Sequence, residues 1–339
     1  MVTILGAGVA GVSLAWALAR RGRRDVVVFD IATEPSGSTS KALGGFRTQH
    51  GSELNIALAL ASRDFFVAHA EHIHFQPNGY LYLAETPEMA VELRRRADFQ
   101  RTCGLPIEHP DPRAVVPWLD DTGIRGANFC ALDGLYIPLE ILGAYMEEAR
   151  ELGVDFRLGR EAGPRDLAAD IVVVACGVSS PGVGEKLEVT LAVEAVERGV
   201  FITGPYDWLG DKVPMTLEAG SGFHFRERDR RLWVMGPGDQ HDWGRVRDWL
   251  AMRAPRALVD EPDGFLTGYY EVTFDHHPLV GETSRHGVWA SCGFSGHGVM
   301  QSPAVADNLA AMINGDSPPL DIRALSPQRT KPLIDTTQL

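Results

Sequence analysis

The feature that most constrains the fold of this 339-residue chain is a glycine turn between two short apolar runs near its start. Residues 2–5 read Val-Thr-Ile-Leu, residues 6–11 read Gly-Ala-Gly-Val-Ala-Gly, and residues 26–29 are apolar again before Asp30. This order predicts a strand, a tight turn, a helix from residue 10 to about 21 and a second strand. Such a βαβ unit is typical of a doubly wound parallel sheet.

Each glycine of this turn has a distinct physical use. Gly6 permits the tight turn, Gly8 lets backbone N–H groups approach a pyrophosphate, and Gly11 lets the helix pack against the strand. The helix presents its positive end to the phosphates. Asp30 follows nineteen residues after Gly11, where a carboxylate accepts hydrogen bonds from ribose hydroxyls. The sequence therefore predicts a site for an adenine dinucleotide.

Composition narrows the class of protein. A net charge of -13 argues against a nucleic-acid partner, which needs clustered Lys and Arg. The four cysteines have no CxxC or metal-ligand spacing, so we expect reduced thiols, no metal site and a cytoplasmic location. No apolar run reaches the ~20 residues that span a bilayer. Met1 leads directly into the first predicted strand, so we expect no signal peptide.

Several later segments distinguish FAD from NAD. Residues 35–45 are small and polar, and they are suited either to contact with a large flat ligand or to a surface loop. Residues 154–158, 169–177 and 287–293 read as strands, and 169–177 as a buried parallel strand beneath a cofactor. The last of the three leads into a glycine loop and a helix from about 302 to 314. A glycine loop that opens a helix is a second anion-stabilising device.

With these segments in view, the chain resembles the D-amino-acid-oxidase superfamily of FAD-dependent amine oxidoreductases. It is most similar to the branch of sarcosine oxidases, glycine oxidase and the flavin subunits of proline and sarcosine dehydrogenases. The matching motifs span nearly the whole chain, in the family's order: residues 6–11 with Asp30, 37–47, 79–81, 127–138, 169–177, 221–226 and 269–303. Residues 293–298, Gly-Phe-Ser-Gly-His-Gly, are the most specific match.

The resemblance implies an α/β fold with two interleaved domains. A Rossmann-type FAD-binding domain would comprise residues 1–75, 140–190 and 268–339. An α+β substrate-binding domain on a large mixed sheet would comprise residues 76–139 and 191–267. The sequence agrees, because residues 191–240 read as short alternating strands, including a hairpin that turns near Asp229.

The resemblance also implies which residues hold FAD. The cofactor-binding candidates are Gly6, Ala7, Gly8, Val9, Ala10, Gly11, Asp30, Ile31, Ser38, Thr39, Ser40, Lys41, Gly44, Gly45, Ala162, Ala175, Cys176, Gly177, Gly268, Gly293, Phe294, Ser295, Gly296, His297, Gly298, Val299 and Met300. Gly268 stands where monomeric sarcosine oxidases carry the flavin-linking cysteine. Lys41 stands where dimethylglycine-dehydrogenase-like enzymes carry a flavin-linked histidine. Both differences imply FAD that is bound non-covalently.

Five side chains are the candidates for substrate chemistry. Arg47 matches the arginine that binds the substrate carboxylate in sarcosine-oxidase-like enzymes, although an Arg also pairs readily with a surface acid. Arg226 is the second candidate for binding the substrate carboxylate. It shares one face of a predicted strand with His224, and that face lines the pocket or is exposed to solvent. Tyr270 matches a position that approaches flavin and substrate, but a strand tyrosine is also ordinary core filling. His50 is a further pocket candidate, although isolated histidines are usually structural.

Two histidine features need separate interpretation. In the loop around His297 we expect backbone N–H groups and the helix dipole, more than the imidazole, to stabilise negative charge on the flavin pyrimidine ring. Adjacent His276 and His277 suggest a metal site. However, neighbours on a strand face opposite ways and no third ligand is suitably spaced, so we interpret them as loop residues.

The implied activity is oxidation of the C–N bond of a small amino acid or secondary amine (a D-amino acid, glycine, sarcosine or proline), with hydride transfer to flavin N5. An FAD-dependent hydroxy-acid dehydrogenase and a flavin subunit active only in a heteromeric complex remain open. The lysine associated with oxygen activation in sarcosine oxidases aligns with Trp233 or Val234, and a second carboxylate-binding lysine aligns with Met300. These losses slightly favour a dehydrogenase with a protein or quinone acceptor over an oxidase that uses O2.

Overall fold

The computed structural model describes residues 1–335, so residues 336–339, the end of the predicted segment 268–339, lie outside the described residues. The helices are α1 (Val9–Arg20), α2 (Glu53–Ala68), α3 (Pro87–Thr102), α4 (Pro112–Val115), α5 (Pro138–Glu151), α6 (Ser180–Lys186), α7 (Trp243–Arg253) and α8 (Gly298–Asn314). The strands are β1 (Val2–Leu5), β2 (Val26–Asp30), β3 (Gly45–Phe46), β4 (Tyr80–Ala84), β5 (Ile107–Glu108), β6 (Gly126–Cys130), β7 (Gly134–Leu135), β8 (Asp155–Leu158), β9 (Ile171–Val174), β10 (Glu194–Thr203), β11 (Met215–Glu218), β12 (His224–Arg228), β13 (Arg231–Met235), β14 (Gly264–Val272), β15 (Leu279–Glu282) and β16 (Val288–Cys292).

The first sheet has six strands in the order β15-β16-β9-β1-β2-β8. Its strands pair in parallel except β15 with β16, and Val2 of the central β1 stands opposite both Val26 and Ile171. The continuous valines of β2 and β9 suit strands that are covered on both faces. This is the sheet that the glycine turn predicts.

Helix α1 is the centre of the packing against this sheet. Ten of its twelve residues are buried, because α5 and α8 pack on it from the side away from β1. Trp16 is 4% exposed and donates its indole N–H to Glu148 Oε2 on α5 at 2.7 Å. A helix that is apolar on nearly all sides is stable only in such a covered position. These contacts fix the position of α1 and of the glycine turn that precedes it.

The second sheet has eight strands in the order β14-β10-β13-β12-β11-β4-β6-β5. All neighbours are antiparallel except β11 and β4. One face carries Phe225 and Val234 into a core with Trp249 of α7. The opposite face, which includes His224, lines the cavity described below.

The predicted α/β class with a second large mixed sheet is confirmed. The predicted hairpin is also present, with Asp229 and Arg230 in the left-handed region at its turn. The division into domains stays a prediction, and β14 runs across its boundary at 267/268. No described helix combines the length and the apolar character that a membrane crossing requires.

Helix α8 begins at Gly298, one turn before the predicted start near Ser302. The prediction placed Pro303 in the first turn, where its missing N–H is tolerated. In the structure Pro303 lies in the second turn, and the Ser302 hydroxyl donates to Val299 O at 2.8 Å. The side chain thus satisfies the carbonyl that Pro303 leaves without a backbone donor.

Candidate cofactor and substrate site

A cavity that opens to solvent lies against the inner face of the eight-stranded sheet. On one side it meets the residue 38–45 segment and the start of α8. On the other side its floor is the inner face of the eight-stranded sheet. The floor residues on β10, β11, β12, β13 and β14 include Arg198, Val200, Met215, Leu217, His224, Met235, Leu266, Gly268 and Tyr270.

The glycine turn shows which of its glycines the protein itself requires. A Cβ on Gly6 would lie 2.3 Å from Ala175 O, and a Cβ on Gly11 would lie 2.0 Å from Gly6 O. A Cβ on Gly8 would meet only the Thr39 hydroxyl, at 3.6 Å. The protein's own packing therefore explains Gly6 and Gly11 but leaves room beside Gly8, as a phosphate lying against the backbone requires. The turn fits a dinucleotide cofactor.

The N-terminus of α1 faces this room. Its N-cap residue is Gly8, so no side chain caps the helix there, and the first-turn N–H groups are the donors that phosphate oxygens use. The Thr39 hydroxyl accepts from the Val9 N–H at 3.2 Å. Asp30 accepts from the N–H groups of Ala7 at 2.7 Å and Ala32 at 2.8 Å, so it also fixes the turn.

About half of the predicted cofactor residues line the cavity: Val9, Ser38, Thr39, Lys41, Gly44, Gly45, Gly268, Phe294, Ser295, Gly296, His297, Gly298, Val299 and Met300. The rest are in the glycine turn or at strand ends and loops away from the lining: Gly6, Ala7, Gly8, Ala10, Gly11, Asp30, Ile31, Ser40, Ala162, Ala175, Cys176, Gly177 and Gly293. Ile31 is 78% exposed. These assignments stay predictions.

Arg226 lies outside the cavity lining. Its Nη1 donates to the carbonyl oxygens of Leu43, of Gly44 at 2.9 Å and of Tyr136 at 3.3 Å. Burial lowers the pKa of its guanidinium to about 10. We therefore interpret Arg226 as a clamp on the segment that precedes Arg47, and not as a contact for a substrate carboxylate.

Arg47 lies in the cavity wall and is 4% exposed. Its guanidinium donates to the Tyr82 hydroxyl at 3.1 Å and lies 2.7 Å from Nε2 of His297. A guanidinium only donates, so His297 Nε2 is the acceptor and the imidazole is neutral. Burial, together with the charge of Arg47, lowers the pKa of His297 to about 3. The His297 ring thus orients Arg47, a role for which the sequence favoured only its backbone.

Asp133 holds the residues that follow Arg47. Its buried carboxylate accepts from the Thr48 N–H at 2.5 Å, the Thr48 hydroxyl at 2.6 Å and Gln49 Nε2 at 2.8 Å. Burial raises the pKa of Asp133 to about 6, opposed by these hydrogen bonds. The sequence did not single out Asp133, because nothing in it links a loop residue at 133 to a segment at 47–49.

His50 lies behind this pair and outside the cavity lining. It is fully buried, its ring centroid is 5.5 Å from that of His297, and its Nδ1 is 3.9 Å from an Asp335 oxygen. Neither ring nitrogen has a hydrogen-bond partner among the described residues. Burial and the charge of Arg47 lower the pKa of His50 well below its usual value, so it contributes a neutral ring behind the site.

The outer part of the floor is polar. Tyr270 lines the cavity, and the Arg198 guanidinium lies 5.3 Å from the centroid of its ring. Glu271, also in the lining, accepts from the Gly293 N–H at 3.0 Å, and burial raises its pKa to about 7. Arg198 and Glu271 are not among the site residues predicted from the sequence. Strand alternation identifies their faces only after the neighbouring strand is known.

The structure locates the residues for which the sequence predicted non-covalent FAD, a missing lysine, reduced cysteines and no metal site. A Cβ on Gly268 would lie 3.1 Å from Lys41 Cβ, so the two positions discussed for covalent attachment are neighbours. Val234 is in the core on the far face of the sheet, and Met235 is the β13 residue that lines the cavity. The four cysteines are unpaired. Among residues 1–335, no cluster of three or more His, Cys, Asp or Glu is arranged to hold a metal ion.

The comparisons with known proteins agree with this geometry. The model of the DAO family, FAD dependent oxidoreductase, matches residues 1–312. FAD-dependent oxidoreductase domain-containing protein 1 of Xenopus laevis is 27% identical over 98% of this chain and 84% of its own length. L-Proline dehydrogenase from P. horikoshii has a TM-score of 0.88 at 23% identity, covering 97% of this chain and 96% of that one.

Glycine oxidase from Geobacillus kaustophilus has a TM-score of 0.84 at 23% identity, covering 97% of this chain and 98% of that one. At these identities the two solved structures establish a shared fold. The resemblance inferred from the motifs is confirmed by the family model, which spans both the glycine turn and the loop at 293–298. The chain belongs to the family of FAD-dependent oxidoreductases.

Proposed function

We propose that this protein oxidises the C–N bond of a small amino acid or secondary amine that carries a carboxylate. The observation that carries the proposal is Arg47, a buried guanidinium in the wall of the cavity where the glycine turn and α8 meet the second sheet. The Gln49 carbonyl, Tyr82 and His297 hold the planar guanidinium of Arg47 in the cavity wall, and a guanidinium held in a fixed plane suits a two-oxygen contact with a carboxylate.

The floor beside Arg47 supports a small, largely apolar substrate. Met215, Leu217 and Met235 form this part of the floor, with His224 among them. The similar structures include enzymes named for L-proline and glycine, which are amino acids of this size. We therefore expect the carboxylate at Arg47 and the carbon skeleton over the apolar floor.

FAD, when bound, supplies the acceptor for the hydride equivalent that leaves the carbon next to nitrogen. The chain's own residues orient the substrate and exclude water. Arg47 fixes the carboxylate, the methionine and leucine side chains cover the reacting carbon, and the start of α8 directs N–H groups at the place where negative charge develops. Ser295 and Gly296, both at positive φ, shape that loop.

The side chain that faces the cavity from β13 is Met235, which carries no charge. We accordingly favour a dehydrogenase that passes electrons to a protein or quinone acceptor over an oxidase. Arg198 is a cation in the cavity wall, but its guanidinium lies against the Tyr270 ring. Recovery of flavin absorbance in air distinguishes the two: a dehydrogenase recovers slowly with O2 and rapidly with an added quinone.

The experiment that tests the function is anaerobic bleaching of bound flavin by a panel of sarcosine, glycine, L- and D-proline, other D-amino acids, 2-hydroxyglutarate and glycerol 3-phosphate. We expect an amino acid or secondary amine to bleach the flavin. Bleaching by the hydroxy acids alone would overturn the proposal in favour of a hydroxy-acid dehydrogenase. No bleaching in a protein that holds FAD would favour a subunit that acts only in a complex.

We also propose that FAD is held non-covalently. Lys41 and Gly268 are neighbours. Neither is the cysteine or the histidine that links the flavin covalently in the enzymes that the chain resembles. Acid precipitation should release all the flavin into the supernatant, where its absorbance is measured. Flavin that stays with the precipitate and survives proteolysis on a peptide would overturn this proposal.

A further inference from the structure

The floor of the cavity carries one imidazole whose tautomer the structure fixes. His224 Nδ1 lies 3.0 Å from the Gly222 carbonyl oxygen, which can only accept, so Nδ1 carries the proton. In the neutral ring Nε2 is then an acceptor with an available lone pair. In the register of the sheet, His224 stands between Leu217 and Met235, and all three line the cavity.

We propose that His224 Nε2 is the base that takes a proton from the substrate's ammonium group. This inference rests on the proposed function, because only an amine substrate brings that proton into the site. An N–H bond of the ammonium breaks, its electron pair stays on the substrate nitrogen, and a new N–H bond forms at Nε2. The neutral amine can then release its hydride equivalent to FAD, whereas the ammonium form has no lone pair to support that loss.

The surroundings favour a neutral imidazole before the transfer. On β12 itself, Arg226 lies on the same face. Among residues 1–335, the other charged or titratable groups of the lining are Lys41 and Arg47 around β3, Tyr80 on β4, Tyr136 after β7, Arg198 on β10, Tyr269, Tyr270 and Glu271 on β14, His276 after β14, and His297 before α8. Burial lowers the pKa of His224, and the charges of Arg47 and Arg198 lower it further. Within the described residues, β11 and β13, the two strands next to β12, contribute only apolar residues to the lining, such as Met215 on β11 and Met235 on β13.

Arg47 and His224 would thus act on opposite ends of the same small molecule. The guanidinium binds the carboxylate, and the imidazole removes the proton from nitrogen. His297 cannot take this proton readily, because its Nε2 already accepts from Arg47 at 2.7 Å. His50 lies behind the wall and does not reach the cavity lining.

The test is the pH profile of anaerobic flavin reduction at limiting substrate, in wild type and His224→Asn. The probe is whichever of L-proline, glycine or sarcosine reduces the flavin. Asn keeps a donor for Gly222 O but cannot accept the proton. We expect a plateau for wild type from near neutral pH up to the ammonium pKa. In the variant the rate should fall tenfold for each pH unit below that pKa, about a hundredfold two units below it.

His224→Gln gives a second variant in case the first holds FAD poorly, and FAD content is measured for both. His241→Asn is the matched control, because that imidazole is 58% exposed and lies outside the lining. Profiles of the same shape for wild type and both His224 variants, or a uniform loss at every pH, would overturn the proposal for His224 alone. Failure of every amine to reduce wild-type flavin would overturn it together with the proposed function.

Discussion

The two ends of the cavity are built in different ways. At the dinucleotide end, one continuous segment of thirty residues supplies the turn, the helix N-terminus and Asp30, and the contacts are mostly backbone. At the substrate end, Tyr82 on β4 and His297 before α8 contact Arg47, and His224 on β12 and Tyr270 on β14 line the same cavity. The first end is defined by chain geometry, and the second by the way distant strands and helices are brought together.

This difference predicts how each end responds to substitution. The largest effect should come from the turn. Gly11→Ala places a Cβ 2.0 Å from Gly6 O. We therefore expect loss of FAD, and an unfolding free energy of the apoprotein that is lower by roughly 1–3 kcal/mol, with a lower melting temperature. Gly8→Ala is the matched control: it should leave the apoprotein's stability unchanged but weaken FAD binding at least about tenfold, because its methyl group enters the space for the pyrophosphate.

Calorimetry of the apoprotein and fluorescence titration with FAD measure the two quantities separately. If Gly8→Ala destabilised the apoprotein as much as Gly11→Ala, the space beside Gly8 would be a packing feature and not a cofactor site. If neither substitution affected FAD affinity, the glycine turn would not be the binding site for the pyrophosphate of FAD.

The next effect should come from Arg47. Arg47→Ala should raise KM for carboxylate substrates by about 10- to 100-fold, since a charge-assisted pair contributes about 1.5–3 kcal/mol. Arg47→Lys should recover only part of this, because an ammonium cannot make the planar two-oxygen contact. FAD content should stay unchanged. Arg95→Ala, an exposed arginine paired with Glu92, is the control. An unchanged KM in Arg47→Ala would contradict the assigned role.

The local structure of the dinucleotide end could be predicted from the sequence, whereas the arrangement of the substrate end could be predicted only in part. The glycine spacing, Asp30 and the hairpin near Asp229 are local patterns, and all three are present in the structure. Strand alternation placed His224 and Arg226 on one face correctly. It could not show that Arg226 would donate to the Leu43 and Gly44 carbonyls, whereas His224 would line the cavity.

The same limit applies to the residues that sequence reasoning missed. Asp133 acts on Thr48 and Gln49 across 85 and 84 positions of the chain. Arg198 and Glu271 acquire their surroundings from strand pairing between β10 and β14. Such contacts depend on which elements become neighbours, and one sequence records only the local preferences of each element.

Asp133 gives a smaller effect that tests positioning. Asp133→Asn keeps an acceptor for Thr48 but sets an amide donor against Gln49 Nε2, so the loop that carries Arg47 should loosen. We expect KM for the carboxylate substrate to rise about 3- to 10-fold, with kcat nearly unchanged and FAD affinity unaffected, as a loss of about 1 kcal/mol implies. Asp321→Asn, an exposed carboxylate beside Arg323, is the control. If KM rose and FAD binding weakened by the same factor, the substitution would have caused a general structural defect.

Glu271 gives an effect that depends on pH and tests whether the two ends are separable. It follows Tyr270 of the substrate end, yet its carboxyl accepts from the Gly293 N–H of the cofactor loop. Burial raises its pKa from 4.5 to about 7, so the folded protein binds this proton more tightly than the unfolded chain. The resulting stability is complete below about pH 4.5 and is lost as pH rises through about 7.

Glu271→Gln should therefore remove part of the decline in the apoprotein's unfolding free energy between pH 4.5 and 7, a slope of at most about 1.4 kcal/mol per pH unit. Denaturant unfolding at several pH values measures it, with the exposed Glu261→Gln as control. If the ends are energetically separate, the variant should change FAD affinity without changing KM for the carboxylate. A parallel change in both would mean that β14 couples the ends, because Tyr270 and Glu271 are adjacent on that strand.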